Sequence, residues 1–192
     1  EKTLKRTYSL KKAEVIRLGY AGRLEVFEKR MDVMPQLIQE LENRNIKYIL
    51  EIAGAGSYDQ VLKDFIQEKD IEDHVHLIGQ LPREEMPKFW QHQDIALNVS
   101  DNEGRPISNM EAMLNGTIPV ATETIGILDD VHDKMNGFVV PVCDYRSMAD
   151  RIEYLEQHRN VLPEMGEKAR EEILKKTDLS DYMSMWSRIV NE

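Results

Sequence analysis

The sequence has 192 residues, 41% of them hydrophobic, which fits a globular domain that can bury a sizeable core. A net charge of −10 argues against a protein that binds nucleic acid without sequence preference, because such a protein needs a basic face to neutralise phosphates. The single cysteine, Cys143, excludes an intrachain disulfide and indicates a reducing compartment. Because it ends the apolar run 138–143, we expect Cys143 to be a packed small hydrophobic residue rather than a nucleophile.

The start of the chain shows no targeting signal. No apolar run approaches the roughly 18 residues of a membrane helix, and no signal-peptide pattern is present. We therefore expect a cytoplasmic protein. Residues 1–13 are strongly charged, weakly periodic and lack an initiator methionine, so we expect a linker or the remnant of an inter-domain segment that leads into a domain over 14–192.

In chain order, short β-branched runs alternate with segments whose apolar residues repeat at helical spacing. The first strand ends at Gly22, and Asp32 is the expected N-cap of the helix that follows. From residue 145 onward the pattern is helical, and a last helix carries Trp186. The predicted strands cover 15–21, 48–53, 75–78, 95–99, 119–122 and 138–142, with shorter helices at 84–91 and 109–115.

The alternation of strands and helices predicts the fold class. Short connections between strand and helix force parallel pairing, since each helix returns the chain to the same edge of the sheet. Such crossovers are right-handed, so we predict an α/β fold with a doubly wound parallel sheet of about six strands and extra C-terminal helices. Ligands of such sheets bind beyond the carboxyl ends of the strands. The functional residues are therefore expected in the loops that follow the strands.

Two cations follow the first predicted strand. Arg23 and Lys29 suit a diphosphate, because arginine offers a planar fork to phosphate oxygens and lysine a point charge. The alternative is that both are solvated among Glu25, Glu28 and Arg30, as most surface cations are. The residues alone leave both interpretations open.

The loop after the second predicted strand contains Gly54 and Gly56, which allow the backbone to approach a ligand closely. This pair does not extend to the dinucleotide fingerprint Gly-x-Gly-x-x-Gly, because the residue three beyond Gly56 is Asp59. The pair also follows the second strand rather than the first. A dinucleotide-dependent oxidoreductase is therefore disfavoured.

The loop after the fourth predicted strand is the most informative. Glu103 lies in this loop and Glu111 lies eight residues later, inside the following helix. The helix N-terminus between them offers free N–H groups to an anion, and a carboxylate can accept two hydrogen bonds from the vicinal diol of a ribose. The alternative is a capping box, in which Glu111 would only bind the backbone N–H of Ser108. The spacing alone does not decide between them.

A family resemblance emerges at this loop. Residues 103–113 read Glu-Gly-Arg-Pro-Ile-Ser-Asn-Met-Glu-Ala-Met, and 115–122 read Asn-Gly-Thr-Ile-Pro-Val-Ala-Thr. Together they resemble the signature of the retaining GT-B glycosyltransferases of group 1 (family 4). The resemblance extends over 14–192 and implies the C-terminal, Rossmann-like, donor-binding half of a GT-B fold. Shorter stretches in the family's order lie at 22–24, 52–56, 76–79 and 136–141.

The resemblance implies a role for individual residues. Glu111 would bind the ribose hydroxyls of a nucleotide, and Glu103 would contact hydroxyls of the transferred sugar. Glu103, Arg23 and Lys29 would be the catalytic groups, the two cations at the diphosphate. The remaining donor-binding residues would be Gly104, Arg105, Ile107 and Ser108 near the diphosphate, Gln80 and Leu81 near the base, and Gly54 and Gly56.

The sequence departs from the family pattern at two places. Lys29 follows Arg23 by six positions instead of five, so Arg30 could take the place of Lys29 at the diphosphate. Arg105 replaces a commonly aromatic or aliphatic residue, and it either adds a phosphate contact or points to solvent. Pro106 has no N–H to donate to a ligand.

The resemblance also implies an activity. A sugar would be transferred with retention from a nucleotide diphosphate-sugar, UDP- or GDP-linked, in polysaccharide or glycoconjugate synthesis. No metal or other cofactor is expected, and the five scattered histidines agree with this. The expected partners are the donor and an N-terminal acceptor-binding domain that this sequence lacks, so we expect the chain alone to be inactive. Because family members often dock on the inner membrane face, the resemblance also implies that the full-length protein is peripheral to this face.

Other functions remain open alternatives. A module that only binds a sugar nucleotide would share the site, and so would a GT-B-fold epimerase or phosphorylase. A purely structural domain with a degenerate site is disfavoured, because a decayed site has no chemical reason to retain Arg23, Glu103 and Glu111 together.

Overall fold

A computed structural model describes residues 6–11 and 14–176 of the chain, so the last predicted helix with Trp186 lies outside the described residues. The described strands are β1 (Ile16–Ala21), β2 (Tyr48–Ala53), β3 (Val75–Gly79), β4 (Ile95–Asn98), β5 (Ile118–Thr122) and β6 (Phe138–Val140). The described helices are α1 (Met34–Asn43), α2 (Asp59–Lys69), α3 (Met86–His92), α4 (Ile107–Leu114), α5 (Ile125–Leu128), α6 (Tyr145–Gln157) and α7 (Leu162–Lys176), with short 3₁₀ turns at Met31–Val33 and Arg159–Val161.

The six strands form one parallel sheet in the order β3-β2-β1-β4-β5-β6, which confirms the predicted fold class. Every residue of β4 and β5 is buried, as expected for central parallel strands covered on both faces. The register pairs Ile16 with Tyr48 and Ile95 with Ile118 at the start of the respective strands. These apolar pairs stack the core residues of neighbouring strands.

Helices cover both faces of the sheet. The largest core cluster combines strand residues such as Leu18 with Leu37 of α1, Leu62 of α2 and Ile152 of α6. Two smaller clusters contain residues of α3, α4 and α7, including Trp90. The sheet is therefore doubly wound. Among residues 6–11 and 14–176, no helix combines the length and apolar character needed to cross a membrane.

The strand order reverses between β1 and β4. The chain proceeds from β1 outward through β2 to β3, then returns to the other side of β1 with β4. At such a switch point the loops that follow the two central strands diverge and leave a crevice at the carboxyl edge. The loop after β1 contains Arg23 and Lys29, and the loop after β4 contains Glu103.

The start of α1 differs from the prediction. Asp32 is not an N-cap, because Met31–Val33 forms a 3₁₀ turn and Val33 occupies the N-cap position of α1. The Asp32 carboxylate instead accepts two hydrogen bonds from the Arg30 guanidinium, each at 3.0 Å. This bidentate pair uses the oxygens that a cap would need.

The environment of Cys143 also differs from the prediction. The expectation that Cys143 is packed as a hydrophobic residue is wrong, because its side chain is exposed. Strand β6 ends at Val140, two residues earlier than predicted, since the next residue is Pro141, which has no N–H for the sheet. Cys143 then adopts a left-handed backbone (φ 63°), and its Sγ accepts a hydrogen bond from Arg30 Nη1 at 2.7 Å.

Residues 6–11 belong to the stretch predicted as a linker, and they are held against the domain. Arg6 Nη1 donates to the backbone oxygen of Asn115 at 2.7 Å, and the Tyr8 hydroxyl donates to that of Gly116 at 2.9 Å. From the opposite direction, Arg159 Nη1 donates to the Ser9 carbonyl at 2.9 Å. These contacts fix the chain at the amino-terminal side of the sheet.

The loops after β1 and β2 pack backbone to backbone through Gly54. A Cβ at Gly54 would lie 1.9 Å from the carbonyl oxygen of Gly22, and Gly54 has φ +149°. The Gly54 N–H also donates to the Gly79 carbonyl at 2.8 Å, which ties in the loop after β3. Gly54 therefore joins three loops of the carboxyl edge where a larger residue could not fit.

Replacement of Gly54 tests this contact. Gly54→Ala should lower the free energy of unfolding by about 3 kcal/mol or more, because the new Cβ collides with backbone as well as adopting an unfavourable φ. Gly79→Ala is the matched control: Gly79 also has positive φ (+73°), but a Cβ there has no neighbour within 4 Å. The control should cost about 1 kcal/mol, the cost of a left-handed backbone. Equal losses in urea unfolding would contradict the close-packing argument.

Candidate functional site

A cavity of about 340 Å³ opens at the carboxyl edge of the sheet. It lies where the loops after β1, β2 and β3 meet the first turns of α4, the position expected for a ligand of a doubly wound sheet. Six of its lining residues were predicted as site residues from the sequence. The lining consists of Ala21, Gly22, Arg23, Ala53, Gly54, Ala55, Gln80, Leu81, Met86, Ser108 and Glu111.

Helix α4 begins earlier than predicted, and this excludes the capping box. Pro106 is the N-cap, and its carbonyl accepts hydrogen bonds from the N–H groups of Asn109 and Met110. Ser108 is thus already inside the helix and cannot be the capping residue that the alternative required. Within residues 6–11 and 14–176, the backbone N–H groups of Ile107 and Ser108 have no acceptor, as is usual for a first helical turn.

Glu111 lines the cavity one turn further along α4. Its side chain is half-buried, and this burial raises the pKa of Glu111, while the positive charge of Arg83 opposes the shift. The carboxylate is not used as a helix cap. It is therefore available to accept hydrogen bonds from a ligand in the cavity.

Lys29 and Glu103 form an ion pair across the switch point. Lys29 Nζ donates to Glu103 Oε1, and their side chains are only 19% and 11% exposed. A backbone hydrogen bond runs parallel to this pair, from the Asp101 N–H to the Glu28 carbonyl at 3.0 Å. The loop after β1 is thus joined to the loop after β4 by both side chain and backbone.

The extra residue between Arg23 and Lys29 is accommodated by an unusual backbone. Glu28 and Arg30, on either side of Lys29, both have positive φ, at 60° and 49°. This conformation directs Lys29 to Glu103, whereas Arg30 pairs with Asp32. Arg30 Nη1 also lies 3.5 Å from Asp101. In this structure Lys29, not Arg30, is the cation beside Glu103.

Arg23 lines the cavity but keeps much of its side chain in solvent. It is 56% exposed, and its Nη2 lies 3.2 Å from the Glu28 carboxylate. The Tyr20 hydroxyl donates to the Arg23 carbonyl at 3.0 Å, which holds the backbone of this loop. An exposed pair of this kind contributes little to stability, so the guanidinium can change partner at low cost.

Arg105 neither extends free into solvent nor lies in the cavity lining. Its Nε and Nη2 each donate at 3.0 Å to the two carboxylate oxygens of Asp130, whose side chain is 4% exposed. Asp130 also pairs with Lys176 of α7 at 3.2 Å. Asp130 was not predicted from the sequence; the signal was an arginine at 105 in place of a commonly aromatic or aliphatic residue, since arginine pairs readily with a carboxylate.

The other predicted site residues divide between the cavity and its surroundings. Gly56 packs against the backbone of Leu24, and the carbonyl of Gly104 lies against Gly126 of α5. Ile107 is 70% exposed. None of these three predicted residues lines the cavity, and their contact with a ligand stays a prediction.

The cavity lining also contains Ala21, Gly22, Ala53, Ala55 and Met86, which were not predicted as site residues. Small residues at strand ends were the signal that could have identified the first four. As for metals, no three His, Cys, Asp or Glu side chains in the described ranges 6–11 and 14–176 are grouped to hold an ion. A metal-independent reaction stays a prediction.

Comparison with known proteins identifies a family. The family model described as "Glycosyl transferases group 1" matches residues 1–172. The poly(ribitol-phosphate) alpha-N-acetylglucosaminyltransferase of Staphylococcus aureus is 26% identical over 175 residues, which cover 91% of this chain and 35% of that protein. A putative colanic acid biosynthesis glycosyltransferase of Escherichia coli is 28% identical over 153 residues, with 76% and 38% covered. The chain thus spans little more than a third of these relatives.

A solved structure supports the same fold. A TarM mutant of S. aureus, solved in complex with UDP and other ligands, superimposes with a TM-score of 0.81 at 24% identity. The superposition covers 94% of this chain and 37% of that one. The GT-B relatives therefore share the six-stranded parallel architecture described above.

The Arg105–Asp130 contact can be tested by stability. Asp130→Ala should lower the free energy of unfolding by about 2 kcal/mol, because it removes charged hydrogen bonds from Arg105 and Lys176. It should also speed amide hydrogen exchange in residues 101–105. The exposed neighbouring carboxylate makes Asp129→Ala a matched control, with an expected change within about 0.5 kcal/mol. Equal effects of the two substitutions would show that Asp130 does not hold this loop.

Proposed function

The chain belongs to the group 1 glycosyltransferase family, and we propose that its carboxyl-edge cavity binds a nucleotide diphosphate-sugar, UDP- or GDP-linked. One observation carries the proposal: Glu111, the free first turn of α4 and Arg23 converge on one cavity at the switch point of the sheet. A carboxylate for a diol, beside N–H groups and a cation for phosphate, matches the two ends of a nucleoside diphosphate.

Glu111 is proposed to bind the ribose. An ionised carboxylate accepts up to four hydrogen bonds and donates none, so it suits the two adjacent hydroxyls of a ribose. The half-buried position of Glu111 in the cavity supports this role, since burial excludes competing water. Gln80 and Leu81, at the end of the cavity formed by the loop after β3, are proposed to contact the base.

The diphosphate is proposed to lie between α4 and the loop after β1. The N–H groups of Ile107 and Ser108 have no acceptor in the part of the chain that the structure describes, and the positive end of the helix dipole favours an anion there. Arg23 can exchange its exposed carboxylate partner for phosphate oxygens. These groups would stabilise the departing diphosphate during sugar transfer without a metal ion.

Glu103 is proposed to contact hydroxyls of the transferred sugar, with Lys29 at the diphosphate. Retention of anomeric configuration follows from the family resemblance and is part of the proposal. The names of the Staphylococcus and Escherichia relatives suggest a polysaccharide or glycoconjugate as acceptor. Because those relatives are far longer than this chain, we propose that transfer also requires an acceptor-binding domain, as the family architecture implies.

Calorimetric titration with UDP, GDP, ADP and CDP tests the donor site. We expect one of the four nucleotides to bind, with a loss of affinity of at least tenfold in Glu111→Ala, since hydrogen bonds to a charged group contribute about 1.5–3 kcal/mol. Glu171→Ala, an exposed carboxylate on α7, is the matched control and should bind as the unsubstituted chain does. If neither these nucleotides nor UDP- and GDP-linked sugars bind, or if both substitutions act equally, the cavity is not the donor site.

The pH dependence gives a second test. The raised pKa of Glu111 means that its carboxylate gains a proton at a higher pH than an exposed glutamate does. Because the ribose requires the ionised form, affinity for a nucleotide diphosphate-sugar should fall as the pH decreases through this pKa. A diphosphate diester stays ionised in this range, so the ligand does not contribute. Glu111→Gln should bind weakly with no step in this pH range; a step that persists would assign the titration to another group.

A further inference from the structure

The ion pair between Lys29 and Glu103 is isolated from the other ion pairs of the described residues. Within residues 6–11 and 14–176, Lys29 pairs with no other carboxylate and Glu103 with no other cation. Both side chains are largely buried, so neither charge has much water to replace its partner. Breaking such a pair while leaving one member without a partner is strongly unfavourable.

An anion that binds Lys29 therefore competes with Glu103 for one ammonium group, and any turn of the lysine toward the anion weakens its bond to Glu103. Arg30 cannot replace Lys29 beside Glu103 without leaving Asp32, which holds it through two hydrogen bonds. The Asp101–Glu28 backbone hydrogen bond keeps the two loops adjacent when the side chains separate. The lysine side chain is long and flexible, and it can turn toward a neighbouring anion without moving either loop.

The consequence depends on what the anion carries. A bare nucleoside diphosphate would draw Lys29 away from Glu103, a largely buried carboxylate, and would offer that carboxylate no donor in exchange. A diphosphate that carries a sugar brings hydroxyl groups, which are the donors that a carboxylate needs. We propose that the Lys29–Glu103 ion pair makes the site discriminate against bare nucleoside diphosphates in favour of sugar-bearing ones. This inference rests on the proposed function, and it predicts that the pair re-forms and favours release once the sugar is gone.

The discrimination is measured as a ratio of two dissociation constants on the same chain. Calorimetry would use UDP with UDP-N-acetylglucosamine, and GDP with GDP-mannose, and would continue with the pair that binds. Glu103→Gln keeps the shape of the side chain but frees Lys29. We expect affinity for the bare diphosphate to rise about tenfold and affinity for the sugar nucleotide to stay level or fall, so that the ratio falls at least tenfold.

Two further variants make the result specific. Asp101→Asn removes a carboxylate from the same loop that pairs with Arg30 rather than Lys29, and it should leave the ratio unchanged. In a Lys29→Met background, Glu103→Gln should no longer raise affinity for the bare diphosphate, because no lysine remains to be freed. Circular dichroism would confirm that every variant is folded.

The outcomes separate this inference from the proposed function. The unsubstituted chain could bind nucleotide while Glu103→Gln does not raise the affinity for the bare diphosphate. In that case the ion pair does not discriminate between the two ligands, although the donor site is still supported. A gain that persists with Lys29→Met also overturns the inference, since the effect would not pass through the lysine. If neither probe pair binds the unsubstituted chain, both the donor site and the inference fail.

Discussion

The reversal of strand order between β1 and β4 is the constraint on which the site depends. All six strands run in one direction, so every loop that follows a strand reaches the same edge of the sheet. The helices that follow β1 and β4 lie on opposite faces, and the two loops therefore separate at the edge. The Lys29–Glu103 ion pair spans this separation, and the cavity with Glu111 opens beside it.

The walls of the site are made largely of backbone. Gly54 allows the loop after β2 to contact the loop after β1, and Gly126 allows α5 to contact the loop after β4, where a Cβ would lie 1.8 Å from the Gly104 carbonyl. Because closely packed backbone has little freedom to move, the side chains that project from these loops start from defined positions. Arg105 adds a side-chain anchor to the same loop through Asp130.

The cations near the cavity lie in a protein whose overall charge is negative. The chain has a net charge of −10, yet three cations around the cavity each pair with a carboxylate. Binding of an anion here is an exchange of partners, and its free energy depends on how well each released carboxylate is solvated or paired again. Exposed carboxylates recover water, whereas buried ones do not. The pairs, from the most to the least exposed cation, are Arg23 with Glu28, Arg105 with Asp130, and Lys29 with Glu103.

The sequence by itself determined the parallel α/β fold and the six strands to within about two residues. It also determined the loops that hold Arg23 and Glu103 and the helix that holds Glu111, because apolar periodicity and turn residues act locally. Only the tertiary structure decided that Lys29 meets Glu103 and that α4 begins before Ser108. It also showed that Cys143 is exposed and that Arg105 pairs with Asp130. These outcomes depend on contacts between residues distant in the chain, and on backbone angles set by those contacts, which no local pattern encodes.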